Sequence, residues 1–86
     1  MVSSSNMDIN PLQNLIAREW INAVERDGFR RRKSRGSHHI YQHSDGRRVL
    51  LVYHNLHDTF GPKTIRQILE STRWTEEDVR RLGLTK

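Results

Sequence analysis

Ser44-Asp45-Gly46 stands between two runs of strand-forming residues, Ser-His-His-Ile-Tyr-Gln-His over 37–43 and Arg-Arg-Val-Leu-Leu-Val-Tyr over 47–53. Asp-Gly supplies the positive φ angles that a tight reversal between antiparallel strands requires, so this pattern predicts a β-hairpin. The hairpin fixes the centre of the fold, and the flanking segments are read around it. Its second strand is apolar on both parities, with Val49, Leu51 and Tyr53 against Leu50 and Val52. It is therefore expected to be the most buried strand, with either parity free to face the cover.

Upstream, Leu12, Leu15, Ile16, Trp20, Ala23 and Val24 recur in steps of three and four. That stripe predicts one helix of about four turns, with Pro11 in its first turn and Asp27-Gly28 closing it. Phe29–Lys33 has no helical stripe and predicts a short strand, followed by a turn at Ser34-Arg35-Gly36. Downstream, Asn55–Lys63 carries Gly61-Pro62 and reads as a loop. Ile65, Ile68 and Leu69 give Thr64–Ser71 one apolar face, hence a second helix. Thr75-Glu76-Glu77-Asp78 is an N-cap with acidic residues in the first turn of a short third helix, which Gly83 stops. The Ser-rich segment 1–10 is expected to be a flexible tail, leaving residues 11–86 as a single domain. The order gives an α+β fold, a three-stranded antiparallel sheet with helices on one face.

Fifteen Lys and Arg stand against ten Asp and Glu, for a net charge of +5 and a pI near 10.4. This balance favours an anionic partner, nucleic acid first and an acidic protein second. The longest apolar run, Val49–Tyr53, is far short of the roughly 20 residues of a membrane span. The first ten residues show neither the basic start nor the apolar stretch of a secretory leader. Cysteine is absent, which excludes disulfides, thiolate nucleophiles and Cys-ligated zinc. A cytoplasmic protein is expected.

Five of the cations, Arg30, Arg31, Arg32, Lys33 and Arg35, fall within six positions. One or two charges suffice to protect an edge strand, so this density points to an anionic ligand. Guanidinium forks bind phosphate bidentately. Of the five histidines, His38 is the best placed for proton transfer, since it follows Gly36-Ser37 and lies just downstream of the cations. His39 and His43 share a strand face but lie about 13 Å apart, too far for one ion. His54-x-x-His57 has only Asp58 near it, so no metal site is expected. Trp20 and Phe29 lie on or beside apolar stripes and read as core, while Tyr41 fits either core or surface.

Gly36-Ser37-His38-His39-Ile40-Tyr41, then Asp45-Gly46-Arg47-Arg48-Val49, resembles the HicA family of toxins, small mRNA interferases of toxin–antitoxin systems. The helix ending in Asp27-Gly28-Phe29, the strand ending in Tyr53-His54, the segment Gly61–Leu69 and the closing Trp74–Leu82 keep the same order, so the resemblance runs from Ile16 to Leu82. It implies an α-β-β-β-α fold like a double-stranded-RNA-binding domain, with a short extra C-terminal helix. It also implies a single catalytic histidine, falling on His38, and a HicB-type antitoxin that covers it. The expected activity is metal-independent and cofactor-free cleavage of mRNA. Arg30, Arg32, Lys33 and Arg35 would bind phosphate, as strand parity allows, and Ser37 would set the backbone beside His38. His39 would add to the RNA contacts, and either His39 or Tyr41 would supply a second acid–base group. The alternative on the same fold is a non-catalytic double-stranded-RNA-binding module, which does not need His38.

Overall fold

The first apolar stripe folds in two pieces. In the computed structural model, which describes residues 9–85, a 3-10 turn spans Asn10–Asn14 and helix α1 spans Ala17–Arg26. The continuous helix expected from Leu12 is interrupted because Ile16 is extended (φ −92°, ψ 164°) and pairs with Thr59 as an isolated β-bridge. The bridge brings the 54–60 loop over the start of α1. There the Asp58 and Leu56 carbonyls accept from the Ala17 and Arg18 N–H groups, and the Glu19 carboxylate accepts from the Ile16 N–H. Donors that a helix start leaves unpaired are thereby satisfied. Of the expected tail, residues 1–8 lie outside the described part, while Ile9 is buried in the core and Asn10 opens the 3-10 turn.

Three strands follow, β1 (Arg30–Arg35), β2 (His38–Gln42) and β3 (Arg48–Val52), all antiparallel in the order β1-β2-β3. Strand β1 begins and ends later than expected. Phe29 is a core residue ahead of it, and Ser34 and Arg35 pair with His39 and His38 instead of forming the turn. The reversal falls on Gly36-Ser37, with Gly36 at φ +59°. The Asp45-Gly46 hairpin forms as predicted, closed by the His43 N–H on the Arg47 carbonyl and the Gly46 N–H on the His43 carbonyl.

Helix α2 (Pro62–Thr72) starts two residues before the expected Thr64, since Pro62 fits a first helical turn. Helix α3 (Glu76–Arg81) has the expected cap, the Asp78 N–H donating to Thr75 Oγ1 at 3.2 Å and the Thr75 N–H to Asp78 Oδ2 at 3.0 Å. Val49, Leu51 and Tyr53 are the inward parity, and with Tyr41 they pack in one cluster with Trp20, Val24, Phe29, Ile65 and Ile68. The fold is the predicted α-β-β-β-α arrangement with a short third helix. The opposite face of the sheet stays uncovered among the described residues, and no helix among them is long and apolar enough to cross a membrane.

Asp27, at the end of α1, ties the distant parts together. Its carboxylate accepts from Trp74 Nε1 at 2.9 Å and pairs with Arg47 at 3.1 Å and Arg81 at 3.3 Å. Its carbonyl lies 2.8 Å from His43 Nε2, whose Nδ1 accepts from the Asp45 N–H. Gly28 must remain glycine here, because a Cβ would sit 2.8 Å from His43 Nε2 at a φ of +109°.

Three carboxylates, Asp45 exposed and Asp58 and Asp78 half-buried, are held below their usual pKa of 3.8 by backbone donors: Asp45 by the Arg47 N–H, Asp58 by the Asn55 and His54 N–H groups, and Asp78 by the Thr75 N–H. A lowered folded-state pKa means that the unfolded chain binds protons first as pH falls. Their stabilisation is therefore complete above about pH 4–5 and is lost as pH drops through 3.8 toward the folded values. Thermal melts from pH 6 to pH 2 are expected to show Tm falling from about pH 4 downward, with a shallower fall in Asp58→Asn. An acid limb identical in the variant would contradict this assignment.

Candidate nucleic-acid interface

Directly opposed residues of antiparallel strands project to the same face. The register therefore sorts the sheet into cross-strand rows. On the uncovered face these are Arg35–His38–Val52, Lys33–Ile40–Leu50 and Arg30–Gln42–Arg48. On the helix side they are Ser34–His39–Leu51 and Arg31–Tyr41–Val49.

A bulge decides this sorting. Arg31 pairs with Tyr41 and Lys33 with Ile40, which leaves Arg32 as the extra residue. In a regular strand Arg30 would lie opposite in face to Lys33 and Arg35. With the bulge, all three share the face of His38, and Arg32 borders the same surface beside Arg30 and Gln42. Only Arg31 of the five faces the helices. Arg48, outside the basic run, joins this face through its pairing with Gln42.

These cations are free to take a ligand. All six residues of β1 are exposed, and among the described residues neither they nor Arg48 form an ion pair. Arg47 and Arg81, in contrast, are held by Asp27, Asp45 and Asp78 and belong to the architecture. His38 is exposed, with Arg35 on one flank and Val52, 38% exposed, on the other. Among the described residues no three His, Asp or Glu side chains converge as metal ligands.

His39 and Tyr41 are not brought to His38. Adjacent strand residues point to opposite faces. The His39 ring stacks on Tyr53 with centroids 4.0 Å apart and planes 17° from parallel, and its Nδ1 lies 3.0 Å from Ser34 Oγ. Tyr41 is 2% exposed. Burial foremost, and then its hydrogen bond to Tyr53, push its phenol pKa up, so it keeps its proton at neutral pH. Neither side chain reaches the uncovered face. Two expected roles for His39, phosphate contact and second proton carrier, therefore lack the geometry they need.

Tyr53 is a residue to which sequence reasoning gave no role beyond membership of a strand with either parity free to face the cover. Its N–H donates to the Ser37 carbonyl at 3.0 Å, and its ring carries His39. It thus grips the residue before His38 and the residue after it. The sequence signal was the parity of β3, which could not be resolved without a packing partner.

A family model described as the HicA toxin of bacterial toxin–antitoxin systems matches residues 17–74, from the first residue of α1 to Trp74, and so spans the three strands and α2. No curated protein gives a match. The family acts in toxin–antitoxin systems, which implies an antitoxin as partner. With most of the chain matched, and with the helices and strands of that match in the order described, the protein belongs to the HicA toxin family.

Proposed function

We propose that the protein is an endoribonuclease toxin that cleaves cytoplasmic mRNA without a metal ion, using His38 as its one proton-transfer group. The observation that carries this reading is the row Arg35–His38–Val52 on an uncovered face whose cations form no ion pair among the described residues. RNA brings its own nucleophile. His38 takes the proton of the 2′-OH, the 2′-oxygen bonds to phosphorus, the P–O5′ bond breaks, and the proton passes to the leaving O5′. Arg35, directly across from His38, neutralises the charge that grows on the phosphoryl oxygens, and Lys33 and Arg30 hold the strand. Ser37 acts through its carbonyl, which Tyr53 fixes. A single proton carrier implies a modest rate. A HicB-type antitoxin would silence the enzyme by covering His38.

The test is incubation with labelled single-stranded and duplex RNA in EDTA. Cut single strands are expected. Intact RNA with shifted mobility and a preference for duplex would replace the enzyme with a double-stranded-RNA-binding module.

Tyr53 is a positioning residue in this scheme. Tyr53→Leu is expected to lower kcat about ten- to a hundredfold with KM little changed, since small displacements of a reacting group are costly. Tyr53→Phe keeps the stack and the backbone bond and should stay within about threefold of wild type. Equal losses in kcat and affinity for both variants would show that Tyr53 serves packing alone.

A further inference from the structure

The third row, Arg30–Gln42–Arg48, lies too far from His38 to touch the phosphate that is cut, so the hold that Arg30 has on the strand must fall on another part of it. Gln42 is four strand positions from His38, a distance of about 13 Å along β2. The two arginines flank a neutral amide across three strands, and all three are free of ion pairs among the described residues. Beside the row is an open concavity of about 530 Å³, bordered by Arg30, Arg32, Gln42 and Ser44 and by backbone at Gly28 and Gly46. Gly46, at φ +102°, leaves open space where a side chain would stand. Between this row and His38 lies the apolar pair Ile40 and Leu50, half-buried, with Lys33 as the only charge.

The face is thus polar at both ends and apolar in the middle. We propose that the hairpin end is a second, non-cleaving subsite, which binds a backbone phosphate of the same RNA strand away from the bond cut at His38. The inference rests on the reading of this face as the RNA-cleaving surface. A nucleic-acid strand advances about 3.4 Å per nucleotide when stacked and up to about twice that when stretched, so 13 Å corresponds to roughly two to four nucleotides. Two guanidinium forks converging on one phosphate give charge-assisted hydrogen bonds that a short substrate cannot reach. The enzyme would therefore favour strands of about four nucleotides or more, held at two points with the intervening sugars over Ile40 and Leu50.

The test uses the full chain and 2′-O-methyl oligoribonucleotides of two to six nucleotides, which lack the attacking hydroxyl and cannot be cut by this chemistry. Fluorescence anisotropy should show affinity rising about tenfold as length passes from two to about four or five nucleotides. Arg30→Gln/Arg48→Gln should erase that rise and lower the slope of log affinity against log salt by about 0.7, the value for one phosphate of a single strand. Arg35→Gln should instead weaken binding at every length. Both substituted residues are exposed and form no ion pair among the described residues, so an unchanged Tm certifies the fold. A rise that survives in the double variant, or no measurable binding at any length, would overturn the subsite; survival of the rise would leave an acidic protein as the row's ligand. The reading of His38 fails separately, by equal RNA cleavage in wild type and His38→Ala, and that outcome leaves the length dependence of binding measurable.

Discussion

His38→Ala is expected to reduce RNA cleavage in EDTA by about 10²- to 10⁴-fold, the usual contribution of a positioned general acid–base group. The loss should be larger than for any single cation, because the two other proton-active side chains of β2, His39 and Tyr41, are out of reach. His39 points to the helix side and stacks on Tyr53, and Tyr41 is buried with its proton held. Neither of these two can take over. His38 is exposed, and its side chain makes no hydrogen bond or ion pair among the described residues, so Tm should change little. Arg35→Ala removes charge stabilisation only and should cost about ten- to a hundredfold. A variant lacking His38 that cuts at the wild-type rate would remove the proton carrier from the scheme.

Asp27→Ala is expected to destabilise the fold by about 2–4 kcal/mol, near the range for removing one partner of a buried pair after discounting for partial exposure. The side chain is 11% exposed, and its Arg47 partner 19%. Its loss takes one carboxylate partner from the Arg47 guanidinium, strands the Trp74 N–H and leaves Arg81 to Asp78. In a domain of this size the change lowers Tm by about 10 to 25 °C. Asp27→Asn retains an oxygen for Trp74 and loses only the charge, so about half the effect is expected. Urea melts of the three proteins measure this directly, and a loss under 1 kcal/mol in the alanine variant would show that the network contributes little. Arg47 would still have Asp45 and the Thr72 carbonyl, which is why the estimate stays below the cost of an isolated buried charge.

The parts of the fold legible in the sequence were those set by neighbours in the chain. Asp45-Gly46 announces its hairpin, Thr75 and Asp78 their cap, and Ile65 and Ile68 their helix face. The parts that were not legible depend on residues far apart. Ile16 looks helical by spacing, yet it is drawn into an extended bridge by Thr59. Asp27 reads as a helix end, and its partners Arg47, Trp74 and Arg81 lie 20 to 54 positions away. The same holds for the site. The cationic run and His38 are adjacent in sequence, but alternation would split the run between two faces. The bulge at Arg32, visible only in the pairing register, moves Arg30 onto the face of Lys33, Arg35 and His38. Register also explains why His39, one residue from His38, stands apart from it.

In the proposed scheme His38 and the exposed cations of the open face cleave RNA through its own 2′-hydroxyl. The most direct measurement is the chemistry of the RNA ends produced in EDTA by the wild-type protein, determined by mass spectrometry beside a His38→Ala control. The account predicts 2′,3′-cyclic phosphate and 5′-hydroxyl ends from the wild type and no ends of this kind above background from the control. Ends bearing 3′-hydroxyl and 5′-phosphate, or the same cyclic ends from both proteins, would contradict it.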